Sequence, residues 1–173
     1  PLSAGVGHDY IKARENPEEV VYENKVIEEV TKETHGFLIF QEQIALLAHR
    51  LGKDFSLDEG NLLRKVLTKK GTGKDSLKDN LKIKFVEGCL ENNLSRGEAE
   101  NLWTNFEYFS GYGFNKSHAV SYSVLSYQCA WLSNYYETEW MAAFLDKEPE
   151  TRKEKATNLA KSFGFKIKNL DVN

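Results

Sequence analysis

The chain has 173 residues, of which 40% are hydrophobic and 28% charged, with a formal net charge of −3. This length suits one domain of ordinary size, or one and a fraction, and the composition is that of a globular protein. The negative total excludes a protein that coats nucleic acid with uniform positive charge. No run approaches the roughly 18 apolar residues that a membrane span requires, so we expect no membrane partner.

Only three prolines and many hydrophobic patterns of helical period predict an all-α fold with at most short extended segments. Two helices are expected to begin at capping boxes, Ser56–Glu59 and Ser95–Glu98. Further helices are predicted at residues 8–15, 24–33, 42–52, 76–92, 118–135, 137–146 and 151–163. Gly36–Phe40 is either an extended segment or a buried helix entry. Gly164 is predicted to end the last helix. Phe165–Ile167, which follows it, is a second candidate for an extended segment.

Basic residues are concentrated between Asn61 and Lys84, where eight cations stand against two acids and give a local charge of +6. The rest of the chain must then carry −9 to reach the total of −3. Apolar residues of the predicted helix would face inward and leave a polar face, formed by Arg64, Lys65, Thr68, Lys69 and Lys70. Such a face can bind phosphate, because a guanidinium grips two oxygens and an ammonium supplies a point charge. A solvated helix face is the alternative.

A loop of varied polar residues, Y-G-F-N-K-S-H at residues 112–118, stands just before a long apolar segment. Glycines on both sides of its tyrosine let the backbone bend sharply and approach a ligand. The tyrosine can stack on a base, the lysine can bind phosphate, and the asparagine and histidine can form hydrogen bonds. These candidate ligand-binding residues are Tyr112, Asn115, Lys116 and His118. Ser117 is predicted to cap the next helix, and a capped helix entry without a ligand is the alternative.

The helix after this loop has a stripe of small residues and large apolar residues on its other sides. We expect this helix to be largely buried, with its large residues in a core. Those residues are Tyr122, Val124, Leu125, Tyr127, Trp131 and Leu132.

The two cysteines, Cys89 and Cys129, both fall in apolar helical patterns. They are predicted to be small buried hydrophobic residues of a reducing compartment, with no disulfide between them. The chain begins at Pro1, and its single methionine is Met141, so we expect a piece of a longer protein.

Residue pairs typical of metal sites are missing from the sequence: it has no Cys-x-x-Cys, no histidine pair at ligand spacing and no aspartates at i and i+2. A two-metal centre for phosphoryl transfer needs clustered carboxylates to hold its ions. Any catalytic centre is therefore expected to lie at least partly outside this chain.

Several segments together resemble the C-family bacterial replicative DNA polymerases, whose representative is the alpha subunit of DNA polymerase III. In order they are P-L-S-A-G (1–5), E-T-H-G-F-L-I-F-Q-E-Q-I (33–44), N-L-L-R-K-V-L-T-K-K (61–70), F-V-E-G-C (85–89), Y-G-F-N-K-S-H-A-V-S-Y (112–122) and E-W-M-A-A-F-L (139–145). The resemblance extends over essentially the whole chain.

The resemblance implies a fingers domain at residues 1–147, followed at 148–173 by the start of another helical segment or domain. In the family, the fingers bind the incoming deoxynucleoside triphosphate (dNTP), and a palm domain outside this chain holds Mg²⁺ on its carboxylates. Carried over by motif, the nucleotide-binding residues are Arg64, Lys65, Lys69, Lys70, Tyr112, Asn115, Lys116 and His118. Supporting roles fall to Gln41, Glu42 and Gln43, and no catalytic or metal-binding residue is expected in this chain.

The implied activity is DNA-directed DNA polymerisation by the full protein, and the fragment alone is expected to be inactive. Its implied partners are dNTP, primer–template DNA, and the sliding clamp and other replisome subunits through the rest of the protein. The implied location is the bacterial cytoplasm, at the nucleoid, or the cytoplasm of a phage-infected host.

Departures from the family pattern include Lys65 in place of an arginine, Thr68 in place of a glycine and Phe40 in place of a tyrosine. The alternative function is a non-enzymatic helical module that binds nucleic-acid backbone or an acidic protein partner. Binding to the backbone would weaken steeply with salt.

Overall fold

A computed structural model describes residues 6–68, 75–111 and 113–168; of Thr68 and Asp75 only the backbone is described. The fold is all-α, as predicted. The α-helices are α1 Val6–Glu15, α2 Lys25–Thr31, α3 Gln41–Leu51, α4 Leu57–Thr68, α5 Asp75–Glu91, α6 Arg96–Ser110, α7 Lys116–Tyr135, α8 Glu137–Lys147 and α9 Glu150–Ser162. Two short 3₁₀-helices lie at Pro17–Glu19 and Lys32–Thr34.

The two capping boxes form as predicted. The Ser95 hydroxyl accepts the Glu98 N–H at 3.2 Å, and the Glu98 carboxylate accepts the Ser95 N–H at 2.7 Å. The Ser56–Glu59 box has the same reciprocal bonds at 3.1 and 2.9 Å. Glu59 also accepts a hydrogen bond from Lys84 of α5 at 2.6 Å, which lowers the pKa of its carboxyl and ties α4 to α5.

Gly36 lies in a turn, with φ at +88°, and the chain enters α3 through Phe40, whose backbone is extended. Phe40 makes an isolated parallel bridge with Phe114: the Gln41 N–H donates to the Phe114 carbonyl at 3.0 Å. In return, the Phe114 N–H donates to the Ile39 carbonyl at 3.1 Å. The extended alternative is thus correct at Phe40 but not at Gly36, and Phe165–Ile167 has no regular secondary structure.

The chain divides into two compact units, an N-terminal unit up to Ala119 and a C-terminal unit from Val120. The predicted domain boundary after residue 147 stays a prediction. The core of the N-terminal unit lies among α3, α4, α5 and α6, with α2 against its edge. At its centre, the rings of Phe85, Trp103 and Phe106 are fully buried, with centroids 5.1 to 6.4 Å apart.

Helix α5 comes into backbone contact with the segment that follows α3. The Lys53 N–H donates to the Lys84 carbonyl at 3.0 Å, and Gly88 faces the same segment one turn later. A β-carbon on Gly88 would lie 2.1 Å from the Lys53 backbone nitrogen. Only glycine lets the two backbones approach this closely.

In the C-terminal unit, Ala156 and Ala160 of α9 are buried. Gly164 ends this helix as predicted, with φ at +88°. The Gly164 N–H donates to the Lys161 carbonyl at 3.0 Å, and the Phe165 N–H donates to the Ala160 carbonyl at 3.2 Å. These two bonds form a Schellman motif. Among the helices that the structure describes, none is both long and apolar enough to cross a membrane.

The prediction that α7 is largely buried is wrong for this chain. Its large apolar residues are 39% to 72% exposed: Tyr122, Val124, Leu125, Tyr127, Trp131 and Leu132. A hydrophobic pattern indicates a surface that gains free energy when it is covered, but it does not specify what covers it. The described residues of this chain leave that surface exposed.

The prediction that both cysteines are buried holds for one of them. Cys89 lies in the core of the N-terminal unit, and burial raises the pKa of its thiol to about 12. Cys129 is exposed, because it lies on the uncovered surface of α7. The unfolded chain ionises Cys89 first, so the contribution of this thiol to stability is lost as the pH rises from about 9 towards about 12.

We expect iodoacetamide at about pH 8 to alkylate Cys129 in the native chain and to leave Cys89 unmodified, because only an accessible thiolate reacts. Peptide mass spectrometry measures the two sites, and urea should expose Cys89 to the reagent. In a Cys129→Ser control, the native chain should take up no label. Rapid labelling of Cys89 without denaturant would contradict its burial.

Candidate functional site

The first residue of α3 connects two of the segments that the sequence singled out. The Gln41 side chain accepts a hydrogen bond from Arg64 Nη1 of α4 at 2.7 Å. Its amide nitrogen donates to the Gly113 carbonyl in the polar loop at 3.0 Å. Gln41 therefore lies between the basic helix and the loop and contacts both.

The second residue of α3 holds the end of the loop. Glu42 accepts hydrogen bonds from the Asn115 side chain and from the Lys116 N–H, each at 3.0 Å. Because Gln41 and Glu42 are adjacent, Arg64 and the start of α7 meet at the N-terminus of α3. The convergence of basic helix and loop is thus a property of this fold.

The prediction that Ser117 caps α7 is wrong. The helix begins at Lys116, so Ser117 already lies in its first turn. The cap is Asn115, whose side-chain oxygen accepts the His118 N–H at 2.9 Å. The Ser117 hydroxyl donates to the same oxygen at 2.6 Å. Asparagine is as good a cap as serine, and the sequence alone did not fix which residue stands outside the helix.

Glu33 binds the side chain of Lys116. Both of its carboxylate oxygens lie 2.6 Å from Lys116 Nζ, which also lies 5.7 Å from the centre of the Phe40 ring. The two charged side chains are 40% and 48% exposed. Sequence analysis missed Glu33, because 83 positions separate it from Lys116 and no local spacing connects them.

Of the three residues predicted to support the site, Gln43 is the one whose side chain is buried and has a structural role. Its buried side-chain oxygen accepts the N–H groups of Ile39 and Phe40 at 2.8 and 2.9 Å. Its nitrogen donates to the Thr34 hydroxyl at 2.7 Å and to the Val30 carbonyl at 3.3 Å. Gln43 therefore fixes the segment that leads into α3. It thereby also fixes the positions of Gln41 and Glu42, the two residues that precede Gln43 in the chain.

The remaining predicted site residues are placed less fully. Lys65 is exposed on α4, and the His118 ring packs beside the Phe114 ring with centroids 5.4 Å apart. Lys69, Lys70 and Tyr112 lie outside the described residues. The structure thus brings Arg64, Asn115 and Lys116 to the N-terminus of α3.

Ion pairs between helices neutralise part of the basic stretch. Lys78 of α5 lies 2.6 Å from the Glu107 carboxylate, and Lys84 lies 2.6 Å from that of Glu59. These two lysines therefore add less to a local positive field than the sequence suggested, and they serve packing between helices instead.

Other kinds of site do not coincide with these residues. A cavity of about 320 Å³ in the N-terminal unit is lined by residues of α1, α2, α3 and α6 and of segments 21–23 and 36–38. None of the predicted nucleotide-binding residues that the structure describes lines it. In the part of the chain with described side chains, no three His, Cys, Asp or Glu residues are grouped to hold a metal ion.

The site lies mainly on segments that match a known family. Residues 1–93, which include α3 and α4, match the family model for the bacterial DNA polymerase III alpha subunit finger domain. The chain belongs to this finger-domain family. The match confirms the resemblance found in the sequence motifs and includes Glu33, Gln41, Glu42 and Arg64.

Similarity to curated relatives extends past residue 93. The chain is 37% identical to DNA polymerase III subunit alpha of Helicobacter pylori over 148 residues, which are 86% of this chain and 12% of that protein. Identity to the same subunit of Aquifex aeolicus is 36% over 176 residues, covering 100% of the chain and 15% of the relative. Identity to the subunit of Treponema pallidum is 34% over 166 residues, which are 95% of this chain and 14% of that protein. The chain thus spans 12% to 15% of the length of these relatives.

Proposed function

We propose that this chain is the fingers part of a template-directed DNA polymerase, in which it binds the incoming dNTP and positions it for phosphoryl transfer. One observation carries the proposal: Gln41 and Glu42 join the basic helix to the loop that bears Asn115 and Lys116. A phosphate-binding helix and a nucleotide-binding loop can act on one ligand only if they meet in this way.

The charged groups at this junction suit a triphosphate. Phosphoryl transfer depends chiefly on positioning and on offsetting the negative charge of the phosphates. Arg64 offers a planar fork for two phosphate oxygens, and Lys116 offers a compact charge. Lys65 would add charge from the same helix, and Lys69 and Lys70, which follow it in the sequence, would add more. Tyr112, Asn115 and His118 would line the base and sugar side.

The reaction itself belongs to residues outside this chain. As the family resemblance implies, Mg²⁺ would be held by carboxylates of a palm domain elsewhere in the protein. The fragment alone would bind nucleotide without polymerising it. Primer–template DNA, the sliding clamp and other replisome subunits would meet the full protein in the bacterial cytoplasm.

In the full-length polymerase, Lys116→Ala is expected to raise the KM for dNTP about tenfold, because a charge-assisted contact to phosphate is lost. Steady-state incorporation of a single nucleotide measures the change. Lys32→Ala is the control, since Lys32 pairs with Glu28 one turn away on the same segment and is exposed. An unchanged KM in Lys116→Ala would remove Lys116 from the nucleotide site.

A further inference from the structure

The two ends of Lys116 are held by two different carboxylates. Glu42 accepts its backbone N–H and so fixes the first residue of α7. Glu33 contacts only its ammonium group, with both oxygens at 2.6 Å. The side chain of Lys116 can therefore leave Glu33 while its backbone stays in place.

We propose that Glu33 is a placeholder for nucleotide phosphate: its carboxylate holds the Lys116 ammonium until a triphosphate oxygen displaces it. The inference rests on the proposed function, and it adds a residue that sets the affinity for nucleotide. The two carboxylate oxygens occupy the positions around Nζ that phosphate oxygens would take, at the short distance typical of a charge-assisted hydrogen bond.

The exposure of the pair makes the exchange feasible. With side chains 40% and 48% exposed, the two charges are screened by water and bind each other weakly. A triphosphate carries several negative charges and competes well against a single carboxylate for one ammonium. Competition from Glu33 therefore lowers the affinity for nucleotide somewhat, but it does not prevent Lys116 from binding phosphate.

The surroundings of the Lys116 ammonium would let it pass from Glu33 to a phosphate oxygen by a small movement. The Phe40 ring, 5.7 Å from Nζ, attracts a cation over its face whichever anion is bound. Glu33 itself sits on the short 3₁₀-helix Lys32–Thr34, which Gln43 fixes through its hydrogen bond to Thr34. Glu33 is thus a positioning residue that acts on nucleotide through Lys116.

A double-mutant cycle in the full-length polymerase tests the placeholder. Glu33→Gln keeps the side-chain shape, removes the competing charge, and should lower the KM for dNTP roughly two- to fivefold with little change in kcat. In a Lys116→Ala background, the same substitution should leave the KM unchanged. Glu28→Gln removes an exposed charge from the neighbouring turn and should leave the KM at its wild-type value.

The outcomes separate the two proposals. If Lys116→Ala leaves the KM unaltered, the proposed role of this lysine in nucleotide binding fails. If Lys116→Ala raises the KM but Glu33→Gln leaves it unchanged or raises it, only the placeholder is overturned. An equal decrease with and without Lys116 would indicate a general effect of charge, which also overturns the placeholder.

Discussion

Replacing Gly88 with alanine should destabilise the N-terminal unit by roughly 3 kcal/mol, even though alanine is the better helix former. The added β-carbon would lie 2.1 Å from the Lys53 nitrogen and 2.3 Å from both the Gly52 carbonyl carbon and the Leu51 oxygen. All three are backbone atoms, so no side chain can rotate away. Relief requires α5 to move from the end of α3, which disturbs the aromatic core behind it.

Gly97→Ala provides the matched control for this substitution. Gly97 also lies in a helix, α6, but the nearest atom to an added β-carbon is Ser95 Oγ at 4.0 Å. Because alanine loses less backbone entropy than glycine, this variant should be unchanged or more stable by up to about 1 kcal/mol. Urea denaturation followed by circular dichroism gives both values. Equal stability of the two variants would show that α5 adjusts to a methyl group without cost.

The helices could be predicted from the sequence because their signals are local. The Ser95–Glu98 box placed the start of α6, and Gly164 placed the end of α9, each through residues within one turn of the helix end. Glycine at position 88 was visible in the motif F-V-E-G-C, but nothing nearby in sequence showed that the segment after α3 packs against it.

The exposed surface of α7 could not be predicted from the hydrophobic pattern of its sequence. Its apolar residues predicted burial, yet Tyr127 is 72% exposed in this chain. Periodicity reports how much a helix gains by being covered. It contains no information on whether the covering element belongs to the same stretch of sequence.

The resemblance implied that the basic helix and the loop meet at one nucleotide, but it did not identify the contacts that bring them together. Motif resemblance named Arg64 and Lys116 directly, and it gave Gln41 and Glu42 only supporting roles. The fold makes these two the physical link, through side-chain bonds that span 23 to 74 positions of sequence. The packing of α3 against α4 sets the Arg64 contact, and the bridge between Phe40 and Phe114 sets the contacts with the loop; a residue pattern encodes neither.

Arg64→Ala is expected to raise the KM for dNTP roughly ten- to hundredfold in the full-length polymerase, the largest functional effect that we predict in this chain. The Arg64 guanidinium is half-buried and is oriented by Gln41 at 2.7 Å. A fork fixed in this way loses little entropy when it grips phosphate, so its removal costs more than removal of a mobile lysine. Single-nucleotide kinetics over a range of dNTP concentrations measure the effect.

Three further variants distinguish charge, shape and orientation at this position. Arg64→Lys keeps the charge without the fork and should give an intermediate KM. Gln41→Ala should raise the KM by a smaller factor. In an Arg64→Ala background its effect should be smaller still, because only the contact of Gln41 with the Gly113 carbonyl is then left to lose. Arg50→Ala, which removes an arginine paired with Glu29 near the opposite end of α3, should leave the KM unchanged. If Arg50→Ala and Arg64→Ala raise the KM equally, the effect reflects net charge rather than a site at the start of α3.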